Sequence, residues 1–273
     1  MSTADQCAVN CRFCFRADTG RDVLSLDTYA RALSRLRELG VEELCLSGGE
    51  PTDHPEFRQL VRVALQFGFR VAVVTAARPG PRLDALASAA GMLSHVTVSA
   101  DSRRADELGR TGRTITSALP VLAALGHHRA TLHVTCYEVG EDDLADIKQV
   151  VTAAQVPVEV SPLLHSPTYR FDNPHLDADL ELIKSSFGLS DDLRGIVTEY
   201  RTWLRAAPQR PCGSERVYLS ADGHLRRCPY HRPGQVSVHA PRQQIQDGLV
   251  AMFTDPPHTQ LSCLAICRPE NRG

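Results

Sequence analysis

The chain contains no apolar run approaching the roughly 18 residues of a membrane-spanning helix, and its first twenty residues are polar, unlike a secretory leader. It has no excess of either charge sign: 30 Lys and Arg stand against 32 Asp and Glu, a formal net charge of −2. That balance offers no basic surface for nucleic acid or for an anionic membrane. It carries no short repeat and no low-complexity tract. A soluble cytoplasmic protein is the expectation. At 273 residues the chain has ample material for a core, as one large domain or a domain with an appendage. Cysteine, by contrast, is plentiful. In a reducing compartment, nine cysteines read as metal ligands or reactive thiols rather than as disulfides.

From residue 25 to about 163, amphipathic helices alternate with short β-branched apolar runs. The first helix spans Leu26 to Leu39, with Ser25 as N-cap and Gly40 as its stop; Leu26, Tyr29, Leu33 and Leu36 form one face. VEELCLS (41–47) reads as a buried strand, and a helix opens at Pro55. Strands at 69–75, 94–101, 129–137 and 156–164 alternate with helices at 81–91, about 114–125 and about 141–154. Such alternation predicts parallel βαβ units. The expected fold class is α/β, a partial (β/α)6 barrel whose first strand is short or missing, because only six residues precede Cys7. Looser packing is expected at that edge. After residue 165 the rhythm breaks, with helices at 177–187 and about 190–206, a hairpin turning at Asp222-Gly223, and a helix from about 241 to 253. This divides the chain into a barrel with linking helices, 1–207, and a small C-terminal α+β domain, 208–273.

Cys7, Cys11 and Cys14 lie in C-x3-C-x2-C, one ligand short of a closed four-ligand site. They sit where a βα loop opens onto the C-terminal rim of the sheet, the edge at which α/β folds bind ligands. On spacing alone an iron–sulfur cluster leads, zinc follows, and uncoordinated cysteines remain open. Three thiolates can hold three irons of a [4Fe–4S] cube and leave the fourth to a small molecule, with Phe13 and Phe15 keeping water away. LSGGEP (46–51) ends the next strand; alone, it is a tight turn before a helix.

Together, C-x3-C-x2-C and, about 35 residues later, a strand ending in GGEP closely resemble the radical S-adenosylmethionine (SAM) enzymes over roughly residues 7–165. The resemblance implies that Cys7, Cys11 and Cys14 ligate a [4Fe–4S] cluster whose open iron is chelated by SAM. It implies that Gly48, Gly49 and Glu50 receive the SAM amino group. Ser99, Asp101 and Arg110, within VSADSRRADELGR, match the stretch that contacts ribose and carboxylate. Leu163 falls where adenine packs. Thr75 ends the strand where the family often has Thr-Asn-Gly; here Thr-Ala-Ala follows. A flavodoxin- or ferredoxin-type reductant is implied as partner.

Near the C-terminus Cys212 and Cys228 read C-x10-G-x4-C, and Cys263 and Cys267 read C-x3-C. Four cysteines fit a zinc site. After a radical SAM barrel they also resemble the twitch form of the SPASM domains, which implies one auxiliary [4Fe–4S] cluster. Twitch enzymes include aminocyclitol dehydrogenases and aminoglycoside epimerases, so hydrogen abstraction from a carbinol carbon of a sugar or aminocyclitol is the leading expectation. A maturase acting on a peptide or protein side chain is the alternative. Of the other cysteines, Cys45 is expected in the core. Cys136 is a candidate hydrogen donor, as a spare cysteine is in some epimerases, although side-chain alternation turns it away from the polar face. Glu159 and His133, polar groups in short strands, are candidate substrate contacts or structural hydrogen-bonding groups. Tyr169 and Arg170 either cap the substrate or lie in a solvated loop. His127 and His128 read as surface residues.

Overall fold

The computed structural model describes residues 1–5, 7, 9, 11–14, 22–76, 81–126, 129–163, 173–187, 216–228 and 234–254. Helix α1 (Leu26–Glu38) starts where the Ser25 hydroxyl accepts the Thr28 N–H at 3.2 Å, and it ends before Gly40, whose φ of +79° suits a residue without Cβ. Its buried face is Tyr29, Ala32, Leu33 and Leu36, the stripe that the 3.6-residue period predicts. Strands β1 (Glu43–Leu46), β2 (Arg70–Thr75), β3 (His95–Asp101), β4 (Ala130–Cys136) and β5 (Val158–Pro162) form one sheet in sequential order, each neighbouring pair parallel. Helices α2 (Phe57–Gln66), α3 (Pro81–Ala89), α4 (Arg103–Gly109), α5 (Leu119–Leu125) and α6 (Glu141–Ala154) occupy the connections. Parallel neighbours need such crossovers, and sequential order with helices between strands is the arc of a β/α barrel. The α/β reading holds.

Two local details differ from the sequence reading. Helix α2 opens two residues after Pro55, because Pro51–Asp53 form a 3-10 turn capped by Glu50 and His54 bridges to the next segment. His54 Nδ1 accepts the Glu56 N–H at 3.0 Å, leaving Nε2 to donate to the Leu24 carbonyl at 2.8 Å. Helix α4, only seven residues long, lies in a stretch with no helical expectation.

The expected looseness at the first edge is not found. Ser2 bridges Ser47 in parallel, Thr3 N–H donates to the Ser47 carbonyl at 3.0 Å, and Gly49 N–H donates to the Ala4 carbonyl at 2.7 Å. Ser2, Thr3 and Ala4 are buried. The cause is tertiary: Ser2 N–H also donates to the Leu219 carbonyl at 2.7 Å, so a C-terminal strand covers this stub.

That strand is β6 (Tyr218–Leu219), which pairs antiparallel with β7 (His224–Arg226) across the Asp222-Gly223 turn. β8 (Val236–Ser237) adds a third strand that the sequence reading lacks. Helix α7 (Leu176–Phe187) precedes this unit and α8 (Arg242–Thr254) closes it; the helix expected at 190–206 lies outside the described residues. Gly248 lets α8 sit against β8, since a Cβ there would overlap Val236. Leu219, Leu225, Val236, Ile245, Leu249 and Met252 belong to the same apolar core as the barrel strands and helices. The C-terminal unit therefore shares a continuous core with the barrel.

Candidate active site

Strand alternation sorts the sheet into two faces. Leu44, Leu46, Val71, Val73, Val96, Val98, Leu132, Val134 and Val160 are buried in the core shared with the helices. The opposite face carries Thr97, Ser99 and Asp101 on β3, Thr131, His133 and Thr135 on β4, and Glu159 and Ser161 on β5. This polar face lines the concave side of the arc. Cys136 lies on the apolar face, fully buried, and burial pushes its thiol pKa well up. The hydrogen-donor expectation therefore places a thiol where the helices pack, away from the polar face. Cys45 corrects its own expectation in the opposite sense: it alternates with Leu44 and Leu46 and is exposed. An apolar run next to a concave surface can be buried on one face only. Burial against the surrounding wall still raises the Cys45 thiol.

The three N-terminal cysteines share one environment. Cys11 is buried, Cys7 and Cys14 are half-buried, and Cys14 N–H closes a turn onto the Cys11 carbonyl at 3.0 Å. With Val9, Phe13, Ala76, Leu108, Tyr137 and Leu163 they form an apolar cluster separate from the main core. Leu163, expected against adenine, is thus beside the cysteines. The loop is docked on the end of α4: Arg12 N–H donates to the Gly109 carbonyl at 3.0 Å, and a Cβ on Gly109 would overlap the Phe13 ring. Burial pushes the Cys11 thiol up to about 12, partly offset by Arg113, with Asp101, Cys14 and Cys7 adding to the rise. Ligation needs the thiolate, so taking up a metal here releases protons. Among the described residues no three His, Cys, Asp or Glu side chains converge on a single metal ion. A [4Fe–4S] cube asks for less convergence, because each thiolate takes a different iron, and three thiols in an apolar surround fit it.

The GGE loop sits against this cluster through Glu50. Its carboxylate is buried; Oε1 accepts the Thr52 N–H at 3.0 Å and the Thr52 and Thr75 hydroxyls at 2.6 Å each, and Oε2 accepts the Ala76 N–H at 2.7 Å. A carboxylate offers about four acceptor directions, so Oε1 is filled and Oε2 keeps capacity for one more donor. Thr75, expected as a cofactor contact, spends its hydroxyl on Glu50. The bonds tie the end of β1 to the end of β2 across the place where the family turn departs to Thr-Ala-Ala. Gly48, at φ +139°, meets the N-terminal stub so closely that a Cβ would lie 2.7 Å from the Ala4 carbonyl oxygen.

Asp101 anchors the other side. Its two oxygens accept Arg113 Nε and Nη2 at 2.8 Å each, and the Thr111 hydroxyl reaches Oδ2 at 2.6 Å. Burial raises the Asp101 carboxyl above its usual range, against the pull of Arg113 and Thr111. Arg110, the arginine expected here, is exposed and ends α4 in the left-handed region at φ +49°. Arg113, three residues on and absent from the sequence reading, faces the site instead. The only signal for it was an arginine just past the left-handed Gly112, and the Asp–Arg pairing itself is not local. Ser102 and Asp143 brace this corner: the Ser102 hydroxyl donates to the Tyr137 carbonyl at 3.2 Å, and Asp143 accepts the Arg103 N–H at 2.9 Å.

Below this rim, register aligns Ser99, His133 and Glu159 in one row across β3, β4 and β5. His133 is half-buried with Nε2 3.0 Å from the Ser161 hydroxyl, and Glu159 is exposed. Of the second cysteine set, only Cys228 is described, half-buried just beyond β7. Cys212, Cys263 and Cys267 lie outside the described residues, as do Phe15, Tyr169, Arg170, His127 and His128.

The cysteine loop, the glycine loop and the parallel arc define a SAM-dependent radical enzyme of the β/α-barrel type. Residues 1–159 match the family model described as the Radical SAM superfamily, and the chain belongs to that superfamily. It is similar to the PqqA peptide cyclase of Rhodopseudomonas palustris, 35% identical over 112 residues, which are 39% of this chain and 29% of that protein. It is similar to the GTP 3',8-cyclase of Marinobacter nauticus, 31% identical over 121 residues, 42% of this chain and 36% of that protein. The matches thus span about a third of these relatives' length. Among solved structures, Streptococcus suis SuiB bound to S-adenosylmethionine superposes with a TM-score of 0.61 at 16% identity, covering 94% of this chain and 65% of SuiB. Native anSMEcpe with bound AdoMet and a Cp18Cys peptide gives 0.60 at 13% identity, covering 90% and 77%. At such identities these two speak for the fold alone.

Proposed function

We propose that this chain is a radical SAM enzyme that modifies a side chain of a peptide or protein. One observation carries the radical SAM part: Cys7, Cys11 and Cys14 share an apolar cluster with Leu163 and Ala76, and Ala76 N–H is held by Glu50 of the GGE loop. In this reading the three cysteines hold the [4Fe–4S] cluster, and Gly48, Gly49 and Glu50 shape the seat of the SAM amino group. When bound, the two cofactors supply a 5′-deoxyadenosyl radical, which takes hydrogen from an unactivated carbon. The chain's residues orient the reactants and exclude water. Leu163 and Tyr137 cover the adenine side, Ser99 and Asp101 the ribose side, and His133 and Glu159 line the substrate space.

The peptide reading is supported by the relatives. PqqA peptide cyclases are among the similar sequences, and structures of SuiB bound to its precursor peptide SuiA and of anSMEcpe bound to a peptide share the fold. The sugar or aminocyclitol carbon, with epimerisation or dehydrogenation as its outcome, gains no comparable support and gives way to the peptide. A second [4Fe–4S] cluster on Cys212, Cys228, Cys263 and Cys267, and a flavodoxin- or ferredoxin-type electron donor, belong to the same proposal.

The test uses the full chain, reconstituted anaerobically with iron and sulfide and reduced by dithionite with SAM present. Release of 5′-deoxyadenosine that a peptide accelerates, with a mass change in that peptide, is the expected result. Acceleration by aminocyclitols and by no peptide in a diverse panel overturns the substrate class. No 5′-deoxyadenosine under any condition overturns the enzyme reading. Iron near eight per chain is expected for two clusters; about four overturns the auxiliary one.

A further inference from the structure

The pair Asp101–Arg113 is more than a structural ion pair at a strand end. Asp101 is fully buried at the rim of β3, and Arg113 grips it through a two-bond fork with both distances at 2.8 Å. The guanidinium side chain retains 13% exposure, so it too is largely withdrawn from water. Its attachment is rigid. Arg113 N–H donates to Asp106 Oδ1 at 3.0 Å, and Thr111 bonds both Asp101 and Asp106. The cysteine loop is docked on the same segment through Arg12 on Gly109 and Phe13 over Gly109.

Two consequences follow from that placement. A charge fixed in a poorly solvated pocket acts at longer range than one in water. The pair also has a direction relative to the thiols: Arg113 stabilises a Cys11 thiolate more than Asp101 destabilises it, and Arg113 in turn is favoured by Cys11 and Cys14. The positive end faces the cysteines, and the negative end is set back in the sheet. Adding an electron to a thiolate-bound cluster adds negative charge, and nearby charge and hydrogen bonding set the potential of such clusters.

We propose that Arg113, aimed by Asp101, is a positioning residue that sets the reduction potential of the cluster held by Cys7, Cys11 and Cys14. It favours the reduced cluster, which makes the one-electron reduction accessible to a biological donor. This rests on the radical SAM reading above, and it concerns the potential rather than substrate choice.

The experiment is an EPR-monitored redox titration of the reconstituted full chain without SAM, with iron per chain and circular dichroism measured on each variant. R113Q lowers the ratio of reduced to oxidised cluster at fixed potential by about tenfold, which is 59 mV for a one-electron couple. D101N removes the counter-charge while keeping the volume, and it moves the ratio the opposite way. R113K keeps the charge without the fork and stays within about threefold of wild type. A purely structural pair gives a different pattern: cluster content falls and the midpoint does not move, or R113Q and D101N shift it in the same direction. Either result overturns the proposal. If R113Q takes up no cluster, R113K carries the test, and a tenfold shift in R113K overturns the claim that charge decides. A wild-type chain that shows no [4Fe–4S] signal refutes the enzyme reading itself and is thereby distinguished from an unshifted variant.

Discussion

Replacing Glu50 by glutamine changes one atom's chemistry and leaves the shape intact. In the native loop two backbone N–H groups, of Thr52 and of Ala76, converge on opposite oxygens of the carboxylate. An amide offers one oxygen and one NH2. Whichever way the new amide turns, one of those N–H donors faces the NH2 and loses its acceptor. The Thr52 and Thr75 hydroxyls can rotate to accept instead, so they adapt. The loss is then one buried N–H left without a partner and the replacement of charge-assisted by neutral bonds, together about 2–4 kcal/mol. For a chain of this size that lowers Tm by roughly 4–15 °C, at about 2–4 °C per kcal/mol. Thr75→Val is the matched comparison: it removes one hydroxyl donor and strands nothing, costing roughly 1–2 kcal/mol. Thermal and urea unfolding of the reconstituted protein measure both, and SAM binding by calorimetry reports whether the loop keeps its form. If E50Q is within about 1 kcal/mol of wild type while T75V costs as much or more, the clamp account of Glu50 is wrong.

Gly109→Ala puts a methyl group into the Phe13 ring and close to the Thr111 side chain, so overpacking of about 1–3 kcal/mol outweighs any gain in helix propensity. Because Phe13 sits between Cys11 and Cys14, iron retained after desalting should fall along with stability. Asp222 supplies a pH dependence. Burial alone would raise its carboxyl, but the Ser220 hydroxyl, Arg226 and His224 outweigh it and hold the carboxyl below the usual range. A depressed carboxyl adds stability above its unfolded value, near 3.9, and loses it as pH falls through the folded value. Acid unfolding of the wild type should therefore be steeper below about pH 4 than that of Asp222→Asn, and parallel curves would refute the assignment.

The arc was legible because its signals are local. The apolar stripe of α1, the cap at Ser25, and the alternation in His95–Asp101 and Ala130–Cys136 each depend on residues within a few positions of one another. Alternation also placed Cys136 on the apolar face and His133 with the polar one, as the structure has them. Cys45 was misjudged because VEELCLS looks apolar throughout, and only the curvature of the sheet decides which face meets a concave wall. Helix α4 and strand β8 were missed because a seven-residue helix and a two-residue strand have too few periods to show.

The sequence alone therefore determined the chemistry of this protein: three cysteines spaced along one loop and a glycine loop after a strand are short-range patterns, readable as such. The tertiary structure alone decided which charge attends the cysteines. Arg110 and Arg113 are three residues apart and alike in composition. The left-handed end of α4 leaves Arg110 in solvent, while the turn beyond it aims Arg113 at Asp101. It also decided that the N-terminal stub is buried, because its cover, β6, comes from more than 200 residues further along the chain. Contacts between distant segments are set by how the whole sheet closes and packs, and no local pattern encodes that.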